Sequence, residues 1–589
     1  MPPSQESAEI QSEPRHSITS QSRTPAQENI AVQLSDPFPK VNDMCLSFKS
    51  PFLLIQPDSS LGLALFLFAI EIDETIVATS VSTIGAELDI KGSLSWITTS
   101  YLLTTTVIQP VTGRIADAVG VKPLVFLELW VFIVGNIIAG TSRGLLQMIV
   151  GRLISGIGGA GLLSLTGIII AQLTHEKQRG AYMNIFNIVF ILSDSIGPIA
   201  GGALANAGQW RWVFLFTAPF GPVITIFLWA TLRIPPPASR IRTFREALAK
   251  IDLIGMLLIV VSLSCLVVAL NMGGQDLPWN SSVVIGCFAG AGASFLAFIV
   301  VETKAEMPVL PVELFSTWKW RNVSIMTAVR TLSFFHIFAL VFYLPVFLQV
   351  ISMSSVVSSA LIIPFLIMAA ISSTATSWLA PKWGGGYALK ALFVIPLAIL
   401  AGGMGLMSTL NEGSSISRII GYSLICGVGF GSGTQMTMVI AQIGLPADYL
   451  STVTALVGTA PTLGGVLGVA IVGNGIDHSP PASSPASDSF FGYVVINNAF
   501  RDILVRSPYL KEITSLNPKS VVDTLSRLAE SGPERQAVVG AYVGAWQRGC
   551  WVLVGVAGLE AVLCLGLKAV VFDDGSREKP EAEKSPAAV

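Results

Sequence analysis

The sequence predicts an all-α integral membrane protein with about fourteen spanning helices. Three observations carry that prediction: the scarcity of charge, a succession of apolar runs of spanning length, and an uneven distribution of Lys and Arg between alternate loops. Only 12% of the 589 residues are charged and 52% are hydrophobic, against about 25% charged in ordinary soluble domains. A mean hydropathy of +0.67 over the whole chain is too high for one buried core under a polar surface, because a growing core still needs polar cover. Most of the outer surface must therefore face lipid.

Crossing the hydrocarbon takes about 20 apolar residues in a helix. Apolar runs separated by charged or Gly/Pro breaks place spans near 60–82, 95–113, 123–142, 146–171, 181–205, 211–232, 252–272, 283–302, 324–347, 355–378, 388–409, 416–441, 449–475 and 551–571. With the N-terminus on the inner side, the short inner loops hold fourteen Lys and Arg, from Arg114 and Lys122 to Lys382 and Lys390. The short outer loops hold four: Lys91, Arg143, Arg211 and Arg418. This bias places both termini in the cytoplasm, as an even span count requires.

The expected organisation is a disordered cytoplasmic tail at 1–58, a six-helix half at 59–232 and a cytoplasmic linker at 233–251. Two inserted helices follow at 252–302, then a second six-helix half at 303–571 with an outer loop at 476–548, and a cytoplasmic tail at 572–589. The tail at 1–58 is rich in Ser, Gln, Pro and Glu and has no early apolar core, so it does not read as a secretory signal. Gly197-xxx-Gly201 in span 5 and Gly464-xxx-Gly468 in span 13 hint that the halves repeat, although such spacing is common in any membrane bundle.

Several function classes are disfavoured. A net charge of −2 offers no field for nucleic acid. The six cysteines have no CxxC spacing, and the four histidines form no HExxH. No nucleophile–base motif of an enzyme appears, and no cofactor or metal is expected.

Ionisable residues at bilayer depth are the informative ones, since each costs on the order of 2.5–3.5 kcal/mol at mid-helix. Span 1 holds Glu71, Asp73 and Glu74, span 3 Glu128, span 4 Arg152, span 5 Asp194, span 9 Arg330 and span 14 Glu560. At 100° per residue Glu71 and Glu74 share a face while Asp73 points elsewhere. An acid beside Arg152 can exchange a proton if its solvation changes, serve as a static brace, or snorkel to water. Polar and aromatic candidates for a substrate path are Gln109, Asn184, Asn187, Phe334, Phe335, His336, Gln435 and Gln442.

Four local patterns resemble the major facilitator superfamily. Between spans 2 and 3, Gly113-Arg-Ile-Ala-Asp117-Ala-Val-Gly120-Val-Lys122 is similar to its G-x-x-x-D-x-x-G-x-[RK] signature, with Asp117 expected at a helix N-terminus. Ala118 and Val121 stand where many members are basic. In span 4, Arg152-Leu-Ile-Ser-Gly156-Ile-Gly158 resembles the family's R-x-x-x-G-x-G pattern. In span 5, Ser193-Asp194-Ser-Ile-Gly197-Pro198-Ile-Ala-Gly201-Gly202 resembles the antiporter motif, with Ser193 replacing its first glycine. In span 1, Ile72-Asp73-Glu74-Thr75-Ile76-Val77 resembles the L-D-x-T-I-V motif of fourteen-span drug:proton antiporters, followed by Ser80-Val81-Ser82 in place of the usual ending. Pro308–Phe315 and Gly429–Gln435 are also similar to that family.

The resemblance covers about residues 60–571 and implies a major facilitator fold of 6 + 2 + 6 helices. It implies a fungal toxin or multidrug efflux carrier, acting as a monomer on a small-molecule substrate and protons in the lipid bilayer. It assigns proton coupling to Asp73 and Arg152, with Glu71 and Asp194 as further candidates, and conformational roles to the glycines, Asp117, Lys122 and Pro198 of the two motifs. It implies the plasma membrane, with a vacuolar basic amino acid or siderophore carrier, or a non-transporting receptor, as alternatives.

Overall fold

The computed structural model describes the chain from Pro57 to Val570, except at 78–79, 89–95, 175, 233, 235–251, 274–276, 278, 306–307, 352, 354, 383–386, 474–524, 526–527, 529–531 and 569. The two tails, nearly all of the 233–251 linker and most of the 476–548 loop lie outside the described residues. Among the described residues, with short helices such as Val81–Glu87 and Ser355–Ala360 between some of them, fourteen longer helical segments follow one another. They are α1 Pro57–Ile76, α2 Trp96–Val119, α3 Val121–Gly140, α4 Leu145–Leu173, α5 Glu176–Asn206, α6 Trp212–Thr231 and α7 Leu253–Met272. Then come α8 Ser282–Glu302, α9 Arg321–Val350, α10 Ile363–Leu379, α11 Tyr387–Met407, α12 Ile416–Gln442, α13 Ala447–Gly473 and α14 Pro533–Leu565. Ten of the described helices are long and apolar enough to cross a membrane by length and composition. Apart from one isolated bridge between Gly273 and Leu277, the described residues show no β pairing.

Local chemistry sets several helix ends. The Asp252 carboxylate accepts from the Gly255 amide at 2.8 Å to cap α7, and the Ser281 hydroxyl accepts from the Val284 amide at 3.2 Å to cap α8. Gly120 turns the chain from α2 into α3 at φ 96°, a conformation that a side chain would oppose. Asp117 lies inside the last turn of α2, 3.7 Å from Arg114, and so does not begin a helix as its motif suggested. The α2 helix simply runs on through the motif until Gly120.

The outer faces are apolar. Leu296 and Val300 on α8, Ile226 and Trp229 on α6, and Val562 on α14 are all exposed. Such residues in quantity signify a lipid solvent.

Helix packing repeats itself. In the first set α1 packs on α5 and α6, α2 on α4, and α3 on α4 and α6. In the second set α9 packs on α13 and α14, α10 on α12, and α11 on α12 and α14. Two matched contacts join the sets, α2 on α13 and α5 on α10. The α7–α8 pair packs against α2 and more lightly against α13.

Small residues allow these approaches. A methyl placed on Gly113 of α2 would meet the Ala455 methyl at 2.7 Å and the Ser451 carbonyl at 2.9 Å, both on α13. Gly180 of α5 lies against Met436 and Ser377, and Gly167 of α4 against Met438 and Thr454. Joining contacts therefore run from mid-helix, where the Thr462 hydroxyl donates to Gln109 Oε1 at 3.3 Å, toward the end where α2 turns into α3.

Candidate functional site: a buried ion pair in the first helical set

Asp73 and Arg152 meet in the interior of the first set. Both side chains are fully buried, and Arg152 Nη1 donates to Asp73 Oδ2 at 2.7 Å. Three elements fix the guanidinium. Its Nε donates to the Ile97 carbonyl at 3.3 Å at the start of α2, and Nη1 also reaches Asn136 Oδ1 of α3 at 3.4 Å. The plane lies 4.2 Å from the centre of the Tyr101 ring and 5.4 Å from that of Phe214, so the cation is sheathed in aromatic faces.

The pairing is incomplete. Asp73 Oδ1 and Arg152 Nη2 are buried without a hydrogen-bond partner among the described residues. One carboxylate oxygen is thus free to accept a proton without breaking the bond already made. Burial disfavours the charged acid while the guanidinium favours it.

Glu71 is also buried, two residues before Asp73, and Glu74 is half-buried. Of the three acids, Asp73 makes the 2.7 Å bond to Arg152. The Asp194 side chain lies outside the described residues, as do those of Asn184, Asn187 and Pro198.

The conformational motifs frame this site. Gly197 sits against Thr75 and the Ile76 amide of α1. The Thr75 hydroxyl lies 3.0 Å from the Glu71 carbonyl and 3.3 Å from that of Ser193, and Ser80 donates to the Gly201 carbonyl at 3.0 Å. Any side chain at Gly197 would collide with α1, one turn from Asp73. Gly202 has open space in front of it. Lys122 donates to the Leu232 carbonyl at 2.7 Å, tying the start of α3 to the end of α6.

The remaining substrate-path candidates divide. Gln109, Gln435 and Gln442 are buried near the contacts between sets, and Gln442 Nε2 donates to Thr454 Oγ1 at 2.7 Å. Phe335 is buried beside Gly464 and Gly468 of α13. His336 is turned instead toward α14, where its ring nitrogens are engaged by Glu560 and the Leu553 carbonyl. Its polar atoms are thereby engaged within the second set.

Sequence reasoning missed Asn136 and a clear internal repeat. Arg152-Leu-Ile-Ser-Gly156-Ile-Gly158 in α4 matches Ser423-Leu-Ile-Cys-Gly427-Val-Gly429 in α12. Their settings match too: Gly156 lies on α2 and Gly427 on α10, while Gly158 lies on α3 and Gly429 on α11. Ser423 therefore stands in Arg152's place in the second set.

Comparison with known proteins agrees with this architecture. Residues 63–469 match the family model described as Major Facilitator Superfamily. The chain is 30% identical over 466 residues to the MFS efflux transporter inpD of Emericella nidulans, covering 77% of this chain and 87% of that one. It is 30% identical to Multidrug resistance protein 3 of Bacillus subtilis, covering 70% and 78%, and 29% identical to the efflux pump roqT of Penicillium rubens, covering 70% and 76%. Among solved structures, the human organic anion transporter MFSD10 (TETRAN) superposes with a TM-score of 0.51 at 16% identity, over 88% of this chain and 100% of that one. The chain is a multi-pass membrane protein belonging to the major facilitator superfamily.

Proposed function

We propose that the chain is a proton-coupled secondary transporter that exports small organic molecules by alternating access. The observation that carries this reading is the Asp73–Arg152 pair, desolvated, half-satisfied and placed between α1 and α4. Relatives named as efflux and multidrug transporters support the export direction. In this reading all fourteen helices cross the bilayer, with both termini in the cytoplasm. The α2/α3 turn then lies on the inner side, and the packed contacts at that end describe a carrier closed to the cytoplasm.

The cycle follows from the charges. With the site open outward, a proton binds the free Asp73 oxygen and weakens its hold on Arg152. Entry of each charge down the potential supplies about 2.3 kcal/mol per 100 mV. The glycine faces at Gly113 and Gly197 let α2 and α5 move against α13 and α1 while the two sets rock. Release of the proton inward restores the pair. The substrate class is amphiphilic or cationic organic molecules, and the membrane is the plasma membrane.

The test is a cell lacking the chain, loaded with a panel of amphiphilic and cationic compounds, with and without re-expression. Re-expression is expected to lower the accumulation of at least one compound, and a protonophore to erase the difference. Lowered accumulation that survives the protonophore would exclude proton coupling. Tagged protein confined to the vacuolar membrane would exclude export across the cell surface.

A further inference from the structure

The second set holds a buried ionisable node of its own. Its elements are His336 and Ser333 on α9 and Glu560 on α14, all essentially without solvent exposure. His336 Nδ1 lies 3.1 Å from Glu560 Oε1 and 2.8 Å from the Leu332 carbonyl. On the other side of the ring, Nε2 lies 2.8 Å from the Leu553 carbonyl of α14. The Ser333 hydroxyl donates to Glu560 Oε2 at 3.1 Å, and Glu560 Oε1 has no well-aligned hydrogen bond of its own.

Both ring nitrogens therefore face acceptors only. A neutral imidazole has one donor and one acceptor nitrogen, so it would press a lone pair against a carbonyl or carboxylate oxygen. Both nitrogens are satisfied only when both carry protons, and the resulting positive charge is balanced by the Glu560 carboxylate.

We propose that His336 and Glu560 form a second proton-binding site, held in its protonated state by the docking of α9 onto α14. The proposal deepens the reading of the chain as a proton-coupled carrier and rests on it. The occupied state carries one proton on the ring as imidazolium, beside an anionic carboxylate. Losing that proton leaves Glu560 buried without a counter-charge and one ring nitrogen facing an acceptor. The Leu332 carbonyl belongs to α9 and moves with the ring, whereas the Leu553 carbonyl and Glu560 belong to α14. Proton release is thus linked to separation of the two helices, and separation to release, in equal measure.

The surroundings leave few other charges to do this. On α9, Arg330 is turned to α12, where it donates to the Thr434 carbonyl and, at 3.2 Å, to Thr437 Oγ1. On α14 the thiol of Cys564 follows Glu560 by one turn, and on α11 Lys390 is held by the Leu565 carbonyl at the far end. From Tyr449 to Gly473, α13 carries no Asp, Glu, His, Lys or Arg. The node belongs to the second set alone, with no described counterpart on α1 and α6.

The sequence holds only four histidines, which makes a direct test practical. The full chain, labelled with 15N-histidine and placed in lipid nanodiscs, gives ring-nitrogen resonances; His336→Gln identifies those of His336. At neutral pH the wild-type ring is expected to be doubly protonated, and in Glu560→Gln to show a neutral tautomer. A neutral wild-type ring, or an unchanged ring in Glu560→Gln, would overturn the site. Spin labels at Phe342 and Trp551, both exposed, read the α9–α14 distance in the otherwise native chain. Raising the pH until the ring deprotonates should lengthen it, and a constant distance through that transition would overturn the linkage. Loss of coupled transport in Asp73→Asn with a neutral His336 ring would sink this second site and leave the first standing.

Discussion

The two helical sets share one packing scheme and differ in where they keep buried ionisable groups. In the first set the buried pair joins α1 to α4, with Arg152 seated among Tyr101, Phe214 and Asn136. In the second set the equivalent of Arg152 is Ser423, fully buried, and the buried ionisable pair His336–Glu560 joins α9 to α14 instead. Glycines set the helix approach in both, so the frame tolerates either arrangement. The comparison teaches that backbone packing and the placement of buried ionisable groups are specified separately in this chain: glycines at matched positions build the frame, and a few unmatched polar residues decide which contact carries an ionisable pair.

Four substitutions test this contrast between the sets. The largest effect is expected from Asp73→Ala, which strands Arg152 in a dry interior. Removing one partner of a buried pair costs about 3–5 kcal/mol, and a thermal-melt assay in detergent should show a loss far beyond that of Ser333→Ala. Next, Ser423→Arg installs the first set's cation where no carboxylate waits. It is expected to lower the yield of monodisperse protein on size-exclusion chromatography; normal yield would mean the matched position in α12 has access to water or an unrecognised anion. Third, Gly197→Leu forces α5 away from Thr75 and Ile76, and transport should be lost while the protein still reaches the membrane. Full activity would remove the α1–α5 contact from the moving parts. The smallest effect belongs to Thr462→Val, which deletes one neutral hydrogen bond between the sets. A neutral bond contributes about 0.5–1.5 kcal/mol, or roughly 2- to 12-fold in the balance of closed and open states. Spin-label distances between the α2 and α13 ends would register that shift.

Much of this was legible beforehand, for physical reasons. Apolar runs of spanning length marked the all-helical membrane fold, because lipid leaves a spanning chain little choice but helix, and ten of the described helices are long and apolar enough to cross a membrane. Asp73 and Arg152 stood out since charge at depth is costly and rare. Asn136 was invisible: a neutral amide in an apolar helix carries no pattern, and only the fold brings it to Arg152. The Ser333–Glu560 contact joins residues 227 positions apart, so no spacing rule reveals it. The Arg152/Ser423 match was present in the sequence, yet it becomes meaningful only when both glycine rows prove to contact equivalent helices. Asp117 was misplaced because a turn motif does not say which of two abutting helices owns its residues.

The account stands or falls on Asp73 as the group that exchanges a proton during transport. Full-length protein in proteoliposomes, given a compound identified by the cell screen, allows proton-gradient-driven flux and gradient-free exchange to be measured side by side. Asp73→Asn keeps the size of the side chain and a hydrogen-bond acceptor for Arg152 but cannot gain or lose a proton there. The account predicts that gradient-driven accumulation disappears while exchange of labelled for unlabelled compound continues. Gradient-driven accumulation at the wild-type level in Asp73→Asn would contradict it.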